Sequence, residues 1–148
     1  MPKLWLAPLL ASILALSACG GGGEKDEEEG GTVSAAVKAV CDGSAMSETP
    51  KLPATFPQIE SEKMVYVKQS SAGPTNIVEG YFNGDVDEAH EEWKKELENN
   101  GFDVTFDEAE EHDSEVAWKG DGRTGIVAIR DDCGDSEKMY VKITDRPE

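Results

Sequence analysis

The chemistry open to this 148-residue chain resides in two histidines, three cysteines and 31 acidic residues. His90 falls beside the apolar stripe of an expected helix, the position of a boundary residue more than of a general base. His112 lies in an acidic turn with Glu110, Glu111 and Asp113. Gly-x-Ser-x-Gly, a phosphate loop, HExxH and CxxC are all missing from the sequence, so no convergent catalytic set announces itself. Carboxylates are so numerous that sequence proximity says nothing of paired acid–base work, which needs a cleft and a defined separation.

Oxygen-rich clusters are what calcium requires, and three occur. They are Asp85 with Asp87 and Glu88, the stretch from Glu108 to Asp113, and Asp131, Asp132, Asp135 and Glu137 around Cys133. None has the twelve-residue EF-hand layout. The first has a sufficient local reason in capping a helix and complementing its dipole. The third is the best candidate for a bound calcium ion, and no other cofactor is expected.

Lys and Arg number 14 against those 31 acids, a formal net charge of −17. Nucleic acid and anionic lipid headgroups are poor partners for such a surface, because binding them rests on neutralising phosphates. Cations, basic proteins and water suit it better. A hydrophobic share of 38% supplies enough apolar material for one core and speaks against a wholly disordered chain.

Lys3 precedes an almost wholly apolar run from Leu4 to Leu16, and small residues then lead to Cys19. This is the layout of a signal peptide. The run is short of the ~20 residues a spanning helix needs, and Pro8 interrupts it. At Leu16-Ser17-Ala18-Cys19 the sequence resembles bacterial lipoprotein precursors. The resemblance covers the signal only and assigns no family to the folded domain. It implies cleavage after Ala18, a diacylglyceryl group on Cys19 and an acylated new amino terminus, and two or more acyl chains make a stable anchor. Gly20, in place of Asp, implies the outer membrane where the cell has two. With Cys19 taken by lipid, Cys41 and Cys133 remain as an even pair in a compartment where disulfides persist, and a bridge between them is expected.

The elements that must position these groups follow from the rest of the chain. Residues 1–18 form the signal and 19–31 a lipid-anchored linker whose GGGGEKDEEEGG stretch has nothing apolar to bury. Residues 32–148 form a single acidic domain, of which 32–60 is a largely irregular lead-in. There Val33, Val37 and Val40 allow a short helix before Cys41. Pro50, Pro53 and Pro57 then favour an extended stretch pinned by Leu52, Phe56 and Ile59.

Met64–Lys68 and Ile77–Phe82 read as a hairpin broken at Ser-Ala-Gly-Pro. Asp85 caps a helix whose face carries Val86, Ala89, Trp93 and Leu97, closed by Asn99, Asn100 and Gly101. Period two returns with Phe102, Val104 and Phe106 on one face. Val116 and Trp118, then Ile126–Ile129, flank a tight turn at Asp121-Gly122. A last strand covers Met139–Thr144. The expected fold is α+β, order β-β-α-β-β-β-β, a two-layer sandwich with one helix on an antiparallel sheet and Trp93 and Leu97 against Phe106, Trp118 or Ile143.

Three functional readings follow. The first is a non-catalytic envelope lipoprotein whose domain engages an envelope protein or supports assembly. The second is a carrier or sensor holding a small apolar or cationic molecule between helix and sheet. The third is an envelope hydrolase, which requires a buried histidine or carboxylate in a specialised setting.

Overall fold

The computed structural model describes residues 33–148; the signal, Cys19 and the linker lie outside the described residues. The described chain forms one open antiparallel sheet of six strands with two helices. In chain order these are α1 (Ala35–Cys41), β1 (Met64–Ala72), β2 (Thr75–Asn83), α2 (Val86–Asn99), β3 (Asp103–Ala109), β4 (Asp113–Gly120), β5 (Arg123–Arg130) and β6 (Lys138–Pro147). Across the sheet the order is β1-β2-β6-β5-β4-β3. The closing strand thus inserts between β2 and β5, and the helix α2 carries the chain from one side of the sheet to the far edge.

Local chemistry explains the elements. The Asp85 carboxylate accepts the Glu88 N–H at 2.8 Å and opens α2. Val86, Ala89, His90, Trp93 and Leu97 form its buried face. At the β4–β5 turn Asp121 and Gly122 both adopt positive φ, 57° and 69°, as a two-residue hairpin demands. The lead-in begins with α1, which the Ser34 hydroxyl caps by accepting the Val37 N–H.

Side chains alternate between the two faces of a strand. One face, carrying Val78, Phe82, Val116, Trp118, Val127, Ile129, Met139, Val141 and Ile143, packs under α2 with Phe56 and Phe102 in the main core. The fold differs from the expected one-helix, two-layer plan at the opposite face. There α1 packs Val40 and Cys41 on Tyr140, with Val67 and Cys133 beside them. Helices therefore lie on both faces, and the second covers one corner only. The Cys41–Cys133 disulfide fastens that corner, joining residues 92 apart.

From α1 the lead-in passes around the β1 edge. Met46 N–H donates to the Tyr66 carbonyl and Lys51 N–H to the Gln69 side chain. Phe56 and Ile59 then enter the main core on the other face. Covering an outer strand this way removes a template for edge pairing.

Candidate interaction face

Most of the sheet face that bears α1 is uncovered. Its central cross-strand row follows from the ladders: Phe106 pairs Ala117, Ala117 pairs Ile126, Ile126 pairs Thr144, and Thr144 pairs Ile77. Phe106 is 51% exposed and Ile126 38%, and they are the two exposed large apolar side chains among the described residues. Both stand in one row of one face. Ile126 borders a depression of about 400 Å³ together with Thr75, Ala117, Thr144 and Arg146.

The exposure of Phe106 corrects the expectation that it joins Phe102 and Val104 under the helix. The β3–β4 ladder shifts register between Val104 and Phe106, so Thr105 is an extra residue and Phe106 turns to the opposite face. Phe102 and Trp118 stay in the core, their rings meeting edge-on with centroids 5.3 Å apart. Trp93 and Leu97 thus share a core with Trp118 and Ile143, and Phe106 has left it.

Charges flank the row. On one side, at the level of Lys68, Glu79, Lys142, Ala128, Glu115 and Glu108, the cations sit toward β1 and β6 and acids toward β3 and β4. Lys68 pairs Glu79 at 2.9 Å. Lys119 and Arg146 lie on the row's other side, so this face collects cations that the outer side of α2 has in smaller proportion.

The other sequence candidates fall elsewhere. The Asp131 carboxylate faces the His112 ring at 3.5 Å, Asp132 is half-buried, and the Asp135 carboxylate accepts the Glu137 N–H at 3.0 Å. Asp131 and Asp135 thus engage different partners along the β5–β6 loop. Asp135 and Glu137 do line a surface cleft of about 540 Å³ with Asp85 and Glu88, two groups far apart in sequence. Among the described residues, no group of three or more His, Cys, Asp or Glu side chains is placed to share a metal ion.

Ser114, His90 and Asp107, which share no sequence motif, come together as a Ser-His-Asp constellation. His90 Nδ1 lies 2.7 Å from Ser114 Oγ, and His90 Nε2 lies 3.5 Å from Asp107, whose carboxylate also takes a 2.6 Å bond from Lys94. That bond and the Lys94 charge hold the Asp107 carboxyl below the usual carboxylate range. Ser114 is 3% and His90 5% exposed, and the adjoining space is a depression of about 90 Å³ ringed by Glu108, Glu110, Asp113 and Glu115. An oxyanion forming there would face carboxylates where catalysis needs donors. The geometry suits a buried hydrogen-bond network joining α2 to β3 and β4.

The interior between α2 and the sheet is filled by rings. The Phe56 centroid lies 5.9 Å from that of Trp93 and 5.1 Å from that of Trp118. The carrier reading placed its ligand in that space. No protein-family model matches the chain, and neither do curated proteins or solved structures.

Proposed function

We propose that the protein is a membrane-anchored bacterial envelope lipoprotein whose small, non-catalytic domain serves protein interaction or envelope assembly through its open sheet face. The observation that carries this reading is the placement of Phe106 and Ile126 in one row of a face that α1 covers only at its corner. Exposed apolar side chains clustered on a polar-rimmed surface are characteristic of contact sites. The glycine-flanked acidic composition of residues 19–31 supports their reading as a spacer between anchor and domain.

The anchor rests on the sequence at Cys19, and export is supported by the disulfide, which persists in oxidising compartments. Cell fractionation with in-cell cross-linking tests the proposal. Wild-type protein partitions with membranes and is recovered cross-linked to protein. Cys19→Ser shifts it to the soluble fraction, and Phe106→Ser removes the cross-linked species while leaving membrane attachment intact. Full membrane attachment of Cys19→Ser would refute the anchor, and an unchanged cross-linking pattern for Phe106→Ser would refute the face.

A further inference from the structure

We propose that β3, the uncovered edge of the sheet, takes an extended lysine- or arginine-bearing segment of a partner protein as an additional strand. The proposal rests on the interaction reading of the open face and names the chemistry of its partner.

The two edges of the sheet differ. The lead-in lies along β1 through the Met46 and Lys51 amides, whereas β3 ends the sheet with Asp103 and residues 105–109 exposed. At the turn end of β3, Glu110 N–H donates to the Asp113 carbonyl at 2.8 Å. Successive residues of an antiparallel ladder bond their neighbour alternately. Glu108 therefore points its backbone groups at β4, and Asp107 and Ala109 point theirs away from the sheet. These are the groups an added strand pairs with. Alternate side chains of that strand stand about 5 Å from Phe106 and Glu108 on the open face, and an apolar one there covers the exposed Phe106 ring.

Charge selects the occupant. Glu108 stands directly opposite Glu115, and the next residue across the sheet at that level is Ala128. Like charges facing each other across a ladder destabilise it. With Glu110 and Asp113 these two acids ring the depression of about 90 Å³. Among the described residues, Glu108, Glu110 and Glu115 take part in no ion pair. Nearby cations are already engaged: Lys94 bonds Asp107 at 2.6 Å, Lys119 bonds Glu148 at 3.1 Å, and Arg130 stands opposite Asp113. An ammonium or guanidinium group seated beside Glu108 relieves the repulsion between the two glutamates. Charged edge strands also discourage pairing with like chains. With a net charge of −17, a second copy brought against β3 is repelled and a basic segment is drawn in. The run beyond the bulge is short, residues 106–109, so association is weak and reversible.

The test titrates the full chain, held in a neutral detergent, with a short synthetic peptide alternating lysine and valine and with its glutamate–valine counterpart, following amide hydrogen exchange. The lysine peptide is expected to slow exchange several-fold at Asp107 and Ala109, whose amides an added strand covers, and the glutamate peptide to leave them unchanged. Glu108→Lys combined with Glu115→Lys should weaken the lysine peptide several-fold and admit the glutamate one. Retention of the Cys41–Cys133 bond and of the circular dichroism reports that the variant folds. Binding without slowed exchange at those two amides overturns strand addition, and equal binding of the two peptides overturns the basic occupant. Binding of neither peptide overturns the proposal as a whole. The interaction reading is then decided separately, by whether Phe106→Ser removes the cross-linked species.

Discussion

Phe106 stands opposite Ala117, where an unbroken ladder continuing from Val104 and Trp118 would set it opposite Val116. One extra residue, Thr105, moves the largest side chain of β3 from the core side of the sheet to the open side. The consequence for stability is specific. Phe106→Ser should change the unfolding free energy by about 0.5 kcal/mol or less, as for an exposed position. Trp93→Ala and Trp118→Ala should each cost about 3 kcal/mol or more, because their rings are fully buried. Urea unfolding of the three variants checks this, and a Phe106 loss equal to that of Trp118 would put Phe106 on the core side of β3.

Cys41 and Cys133 clamp α1 to the loop between β5 and β6. In the chain-entropy account, a bond between residues this far apart contributes roughly 4–5 kcal/mol. Cys41→Ser, Cys133→Ser and the double variant should therefore lower the melting temperature by the same amount, since each removes one shared bond. Losses that add would show that the two cysteines act separately.

Asp145 is 1% exposed and is held by Arg123 through two bonds of 2.7 Å, with Asn76 donating a third at 3.0 Å. Removing the guanidinium strands a buried carboxylate, which costs about 3–5 kcal/mol. Arg123→Ala should show that loss in chemical denaturation, and the double variant with Asp145→Asn should recover part of it. Equal stability of Arg123→Ala and wild type would be incompatible with this pair.

Burial raises the hydroxyl pKa of Tyr66, and burial together with the Glu79 carboxylate raises that of Tyr140, which donates to Glu79 at 2.6 Å. The folded state thus keeps protons that the unfolded chain releases above about pH 10. Stability is unaffected below that value and falls as pH rises beyond it. Phenolate absorbance from these two residues should develop together with loss of circular dichroism. Ionisation well ahead of unfolding would contradict their enclosure.

Much of this was legible in the chain. The β-rich runs of β1, β2 and β6, the alternation of Val116 with Trp118, the Asp85 cap with its 3.6-residue stripe, and the Asp121-Gly122 turn are local patterns, and local sterics suffice to specify them. The pairing of Cys41 with Cys133 followed from counting, once Cys19 was set aside. Ile126 was not legible as exposed, because the run Ile126-Val127-Ala128-Ile129 is apolar on both faces and period two cannot choose between them. The His90–Ser114 contact joins residues 24 positions apart on a helix and a strand, and nothing in either segment points to the other.

Neighbours within a few residues suffice to set the element types, the turns, the acidic surface and most of the core-forming side chains, Phe106 and Ile126 being the exceptions. Long-range packing settles that β6 inserts between β2 and β5, that α1 lies on the opposite face, and that Phe106 and Ile126 share a row there. Those outcomes depend on strand register. A single bulge reverses the side of every residue beyond it in the strand, and its position is settled by packing across the sheet and not by the residues of β3 alone.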